Sequence, residues 1–147
     1  MSQTASDPSG ASGGPPRRPS PAEPGRHATD AWLAENAGAS VCYLTTRGRK
    51  SGRRHEIEIW FAVRDGRLYM LSGGRDRSDW VRNVMANPAV RVRIRDQEAD
   101  GTARVVDDPD EDALARRLLA AEYQGWREGR PLSDWAQTAL PVVVTFP

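Results

Sequence analysis

The run His55-Glu56-Ile57-Glu58-Ile59-Trp60-Phe61-Ala62-Val63-Arg64-Asp65-Gly66-Arg67-Leu68-Tyr69-Met70-Leu71-Ser72 decides the fold class. From His55 to Val63, Ile57, Ile59, Phe61 and Val63 fall on one face and Glu56, Glu58 and Trp60 on the other. That two-residue period is the mark of a half-buried strand. Asp65-Gly66 supplies the residues that a tight hairpin turn requires, and Arg67 to Ser72 form the returning strand. The expectation is an antiparallel sheet.

Upstream, Val41 to Thr46 is rich in β-branched and aromatic residues and reads as a strand, joined to the first by the polar turn Arg47 to Gly52. Thr29 or Asp30 caps a short helix through Asn36, with Gly38 as its stop. Downstream, Gly73-Gly74 break the strand, and Ser78 or Asp76 caps a helix carrying Trp80, Val81, Val84 and Met85 as far as Asn87-Pro88. Val90, Val92 and Ile94 alternate with three arginines as another strand, followed by Thr102 to Val106. Pro109 opens a helix whose first turn is acidic, with Leu114, Leu118, Leu119 and Tyr123 as its apolar stripe. Leu132 to Ala139 suits one more short helix, and Val142 to Phe146 a closing strand. Six mostly antiparallel strands with three or four helices make an α+β domain, and the lack of βαβαβ alternation excludes a doubly wound nucleotide fold.

Residues 1–28 hold six Pro, four Gly and five Ser but no Val, Ile, Leu or aromatic residue. Such a segment buries too little apolar surface to offset its ordering entropy, so a disordered tail is expected ahead of one domain at 29–147. Twenty-one basic residues stand against 20 acidic ones in 147 residues, so no net field recruits nucleic acid or an anionic membrane. Cys42 is the only cysteine, and His27 and His55 are the only histidines, which leaves no basis for a disulfide or a metal site. With no apolar run long enough to span a membrane and no secretory signal, the expected location is cytoplasmic.

The densest polar feature is Arg47-Gly48-Arg49-Lys50-Ser51-Gly52-Arg53-Arg54, which contains the only lysine. Glycines let backbone amides approach an anion, and the cations add charge-assisted donors, so the turn suits phosphate or carboxylate. The alternative is an exposed hairpin turn with solvated cations. Glu56 and Glu58 share a strand face, which could suggest an acid–base pair but is more simply a solvated surface. No serine has the setting of a nucleophile elbow.

Leu44-Thr45-Thr46-Arg47-Gly48-Arg49-Lys50-Ser51-Gly52 resembles a signature of the deazaflavin-dependent nitroreductase and quinone reductase family. Tyr69 to Gly74, Asp79-Trp80-Val81-Arg82-Asn83, Ala86-Asn87-Pro88 and Leu140 to Val144 match in the same order, over residues 29 to 147. The resemblance implies a split β-barrel like that of FMN-binding pyridoxamine-phosphate oxidases, and hydride transfer from reduced coenzyme F420 to a quinone or nitro compound. FMN as cofactor, or binding without turnover, is the alternative. The resemblance further implies that Arg49, Lys50, Ser51 and Gly52, with His55, hold the cofactor's anionic tail. Ser72 and Gly73 would line the ring pocket, with Trp80 near ring or tail. His55 stands where some members have arginine, and Gly129 to Leu132 stand where nitroreductases carry tyrosines. Tyr123, Trp126 and Trp135 are then the candidates for the acceptor pocket. The expected partner is a small-molecule substrate, and a homodimer is left open.

Overall fold

The computed structural model describes residues 25–147, with side chains from Asp30 onward. Most of the expected tail lies outside the described residues. Helix α1 spans Gly25–Asn36, so it starts ahead of the anticipated Thr29. Asp30 is consequently inside the helix, where its carboxylate occupies the space that a side chain on Gly66 would need.

Seven strands follow: β1 (Cys42–Arg47), β2 (Arg54–Ile59), β3 (Ala62–Arg64), β4 (Arg67–Ser72), β5 (Ala89–Ile94), β6 (Gln97–Val105) and β7 (Leu140–Thr145). Helices α2 (Asp79–Ala86), α3 (Pro109–Gln124) and α4 (Asp134–Thr138) complete the chain, with a short 3-10 turn at Arg75–Arg77. All strand pairs are antiparallel, in the order β2-β1-β5-β6-β7-β4-β3.

The run expected as one strand from His55 to Val63 is two. Its first half pairs with β1 at one edge of the sheet and its second half with β4 at the other, and only Trp60 and Phe61 separate them. A flat seven-stranded sheet would hold its edges about 30 Å apart at a strand spacing near 4.8 Å, far beyond the reach of two residues. The sheet must therefore curl until its edges meet, and the Trp60-Phe61 crossover is its seam. This is the split barrel, reached with seven strands where six were expected. The hairpin after β3 is as anticipated: Asp65 and Gly66 have φ of 53° and 75°, the double positive φ of a type I′ turn.

Two apolar clusters hold the curl in place. Leu68, Met70, Val142 and Val144 point into the barrel with Leu44, Val92, Ile94 and Phe61. Tyr69, Leu71 and Val143, on the opposite face of the same strands, pack under α3 against Ala115 and Leu119. β4 and β7 are buried on both faces, which is why their sequences run apolar without alternation. The start of α3 is fixed by its N-cap, where Asp108 accepts from the Glu111 amide at 2.8 Å, a contact worth about 1 kcal/mol. Among the described residues, no helix is long and apolar enough to cross a membrane, and no cluster of metal-ligating side chains occurs.

Candidate cofactor cradle and aromatic seam

The β1–β2 turn closes on itself. Gly48 donates to the Arg53 carbonyl at 2.7 Å, and Gly52, at φ 74°, donates back to Gly48 O at 2.9 Å. A side chain at Gly52 would be strained at that φ. Ser51 Oγ accepts from the Arg53 amide at 3.1 Å, whereas the amides of Lys50 and Ser51 have no protein acceptor among the described residues. Above Gly48 the side chains converge: a Cβ placed there would stand 2.8 Å from both His55 Nε2 and Ser51 Oγ. The absence of a side chain on Gly48 thus lets an imidazole and a hydroxyl close over the turn, which also carries two unpaired amides and the exposed Lys50. That donor set fits a phosphate group.

Arg49, expected at the phosphate, also reaches across to α2. Its amide and its Nη1 donate to Asn83 Oδ1 at 3.1 and 2.9 Å, and its Nη2 lies 3.3 Å from Asp79 Oδ1. Asn83 is buried and also donates to Thr46 Oγ1 at 3.2 Å. Arg49 therefore bolts the turn to α2, and one face of it borders an open depression with Arg82 and Met85. Trp80 packs half-buried against the barrel core. Ser72 is buried, with its hydroxyl engaged by Arg75 O at 3.0 Å and Ser78 Oγ at 2.9 Å, so it ties β4 to the start of α2.

Beyond Ser72 the path reaches the seam. A Cβ on Gly73 would meet the Trp135 indole at 3.5 Å. Trp135 stands edge-on to Trp60 (centroids 5.4 Å apart, planes at 87°), and Trp60 lies flat on Tyr123 (4.5 Å, 5°). Trp60 remains 41% exposed, which is unusual for so large an apolar surface. With Val41, Glu58, Ile59, Leu71 and Trp135 it borders a depression of about 300 Å³, near the lower end for small-molecule sites.

Of the three expected pocket residues, only Trp135 borders this depression. Tyr123 stands behind Trp60, where its hydroxyl accepts from the Phe61 amide at 3.0 Å and reaches the carbonyls of Ser40 and Phe61, each at 2.9 Å. Burial raises its pKa, partly countered by the Phe61 backbone bond, so the phenol stays a neutral clamp on the crossover. Trp126 donates to Arg130 O at 2.7 Å and shares no ring contact with the trio.

Sequence reasoning overlooked Trp60 as a pocket wall, although the strand period already placed it beside Glu58. It also overlooked Arg116, for which nothing in the linear pattern gave a signal. Arg116 Nη1 donates to the carbonyls of Ala136, Gln137 and Ala139 at 2.8–2.9 Å, and its Nε lies 2.6 Å from Asp112 Oδ1. Arg75 takes the Thr138 carbonyl. The last turn of α4 is thus capped by arginines, and Trp135 is held on the turn they anchor. Cys42 takes no part in the site: burial pushes its thiol up to about 12, so it is not a nucleophile at neutral pH.

Comparison with known proteins agrees with this architecture. Residues 26–147 match the family described as F420H(2)-dependent quinone reductase. A solved F420-H2 dependent reductase is similar at 25% identity and TM-score 0.53, over 71% of this chain and 93% of that one. Protein Rv2991 of Mycobacterium tuberculosis is similar at 19% identity and TM-score 0.63, over 80% and 79% of the two chains. A Listeria innocua protein named after pyridoxamine 5'-phosphate oxidase has 19% identity and TM-score 0.59, over 80% and 92%. The last two likenesses speak for the fold. On the family match across nearly all described residues, the chain belongs to the F420H(2)-dependent quinone reductases, a family of oxidoreductases.

Proposed function

We propose that the chain binds coenzyme F420 with its phosphate on the Gly48–Gly52 turn, and reduces a planar, electron-poor acceptor such as a quinone or nitro compound at the Trp60–Trp135 depression. The two unpaired amides of the turn, with the Ser51 hydroxyl, the His55 imidazole and Lys50 beside them, carry this reading. Lys50, Ser51 and His55 would hold the phosphate, and Gly73 would leave room for the ring at the end of β4. When bound, the reduced deazaflavin supplies a hydride, and the protein supplies orientation and a partly dry surface. Arg49 keeps the cradle in register with α2, Ser72 links α2 to β4, and Trp60 and Trp135 offer flat apolar faces to the acceptor.

Equilibrium titration of oxidised F420 and of FMN, followed by fluorescence, tests this. F420 carries more negative charge and should bind more tightly, with an affinity that falls as salt rises. Lys50→Ala should weaken F420 binding about tenfold to hundredfold, the loss of one charge-assisted contact of about 1.5–3 kcal/mol. Equal or tighter FMN binding would transfer the site to the FMN alternative. Identical dissociation constants for wild type and Lys50→Ala would remove the phosphate from this turn.

A further inference from the structure

Glu58 is exposed, as expected of a solvated strand face, but it stands on the rim of the aromatic depression. It borders the aromatic depression with Trp60 and Trp135, and its Oε1 accepts from Tyr43 Oη at 3.2 Å. Among the described residues no arginine or lysine pairs with it. Its acidic neighbours on the same outer face each have an arginine partner. Arg93 pairs with Glu56 at 3.6 Å and lies over the Tyr43 ring at 4.1 Å, while Arg91 pairs with Glu98 and Asp100 at 3.0 and 2.8 Å. The rim of the depression therefore carries a carboxylate with no cationic partner among the described residues, beside two indoles, a ring type whose π face favours cations.

We infer that Glu58 is a specificity-determining residue that filters acceptors by charge: neutral or cationic planar compounds are admitted, and those bearing a carboxylate, sulfonate or phosphate are disfavoured. The inference rests on the acceptor binding beside Trp60, as proposed above. An anion within about 6 Å of the carboxylate, in a setting between bulk water and a protein surface, should bind about threefold to tenfold more weakly than its neutral counterpart. Screening by salt should narrow that gap.

The test is an intrinsic tryptophan fluorescence titration of the full-length protein with three probes. These are 2-methyl-1,4-naphthoquinone, 1,4-naphthoquinone-2-sulfonate and a naphthoquinone bearing a trimethylammonium group. Wild type should rank them cationic at least equal to neutral, and both tighter than the sulfonate, with the saturable quenching lost in Trp60→Leu. In Glu58→Gln the sulfonate-to-neutral ratio of dissociation constants should fall to near one, and in Glu58→Lys it should invert. A ratio near one in the wild type at low salt, or one unchanged in Glu58→Gln, overturns the filter while leaving the pocket in place. Absence of saturable quenching by the neutral quinone overturns the pocket, and the filter with it.

Discussion

The cradle and the seam are built on opposite principles. The cradle is eight consecutive residues whose glycines, hydroxyl and cations need only each other to form the loop, and a single arginine to dock it on α2. The seam gathers Trp60 from the crossover, Tyr123 from α3, Trp135 from α4 and Glu58 from β2, residues up to 77 positions apart. A locally encoded site tolerates change elsewhere in the chain. A site assembled from four elements depends on whatever holds those elements together, and here that is a small set of polar clamps around α3.

Breaking the clamp on α4 should give the largest effect. Arg116→Met leaves three carbonyls without their donor and Asp112 without its partner, and should cost about 3 kcal/mol of stability, read as a fall in thermal midpoint of about 10 °C. Quinone quenching of Trp135 should weaken in parallel. Arg116→Lys should recover only part of the loss, because an ammonium cannot span three carbonyls and a carboxylate as the planar fork does. A midpoint within 2 °C of wild type for Arg116→Met would show that the seam does not depend on this clamp.

Tyr123→Phe separates the two regions more finely. It keeps the ring under Trp60 but leaves the Phe61 amide without its acceptor, a cost of about 1–2 kcal/mol. Trp60 emission should shift as the crossover loosens, while F420 affinity at the cradle, which Tyr123 does not touch, should change less than twofold. A larger change in F420 affinity would mean that the two regions are coupled.

The smallest effect concerns acid. Burial would raise the Glu111 carboxyl, but hydrogen bonds from Tyr69, Arg104 and Arg67 outweigh it and hold the pKa below its ordinary 4.5. A depressed folded value means that this stabilisation is present above the unfolded pKa and is lost as pH falls through the folded one. The thermal midpoints of wild type and Glu111→Gln should therefore differ most at neutral pH and converge on acidification below pH 4.5. A gap that stays constant down to acid would assign the effect of the substitution to shape.

What the sequence determined by itself was whatever depends on near neighbours. The period of β2, the Asp65-Gly66 turn, Pro109 at the first turn of α3 and the basic loop between two strands follow from backbone preferences spanning a few residues. All four stand in the structure. The resemblance of that loop to a known signature then carried the family. The tertiary structure alone decided where the long strand breaks, because alternation continues unperturbed through Trp60 and Phe61. Only the closing of the sheet on itself requires β2 and β3 to pair with different partners. Tertiary packing likewise tied Arg49 to α2 and placed Tyr123 behind Trp60. It also left Glu58 without an ion-pair partner while arginines of β5 paired with Glu56, Glu98 and Asp100. The partners of a long polar side chain are set by which elements pack against it, and that information is not carried by the residues beside it in the chain.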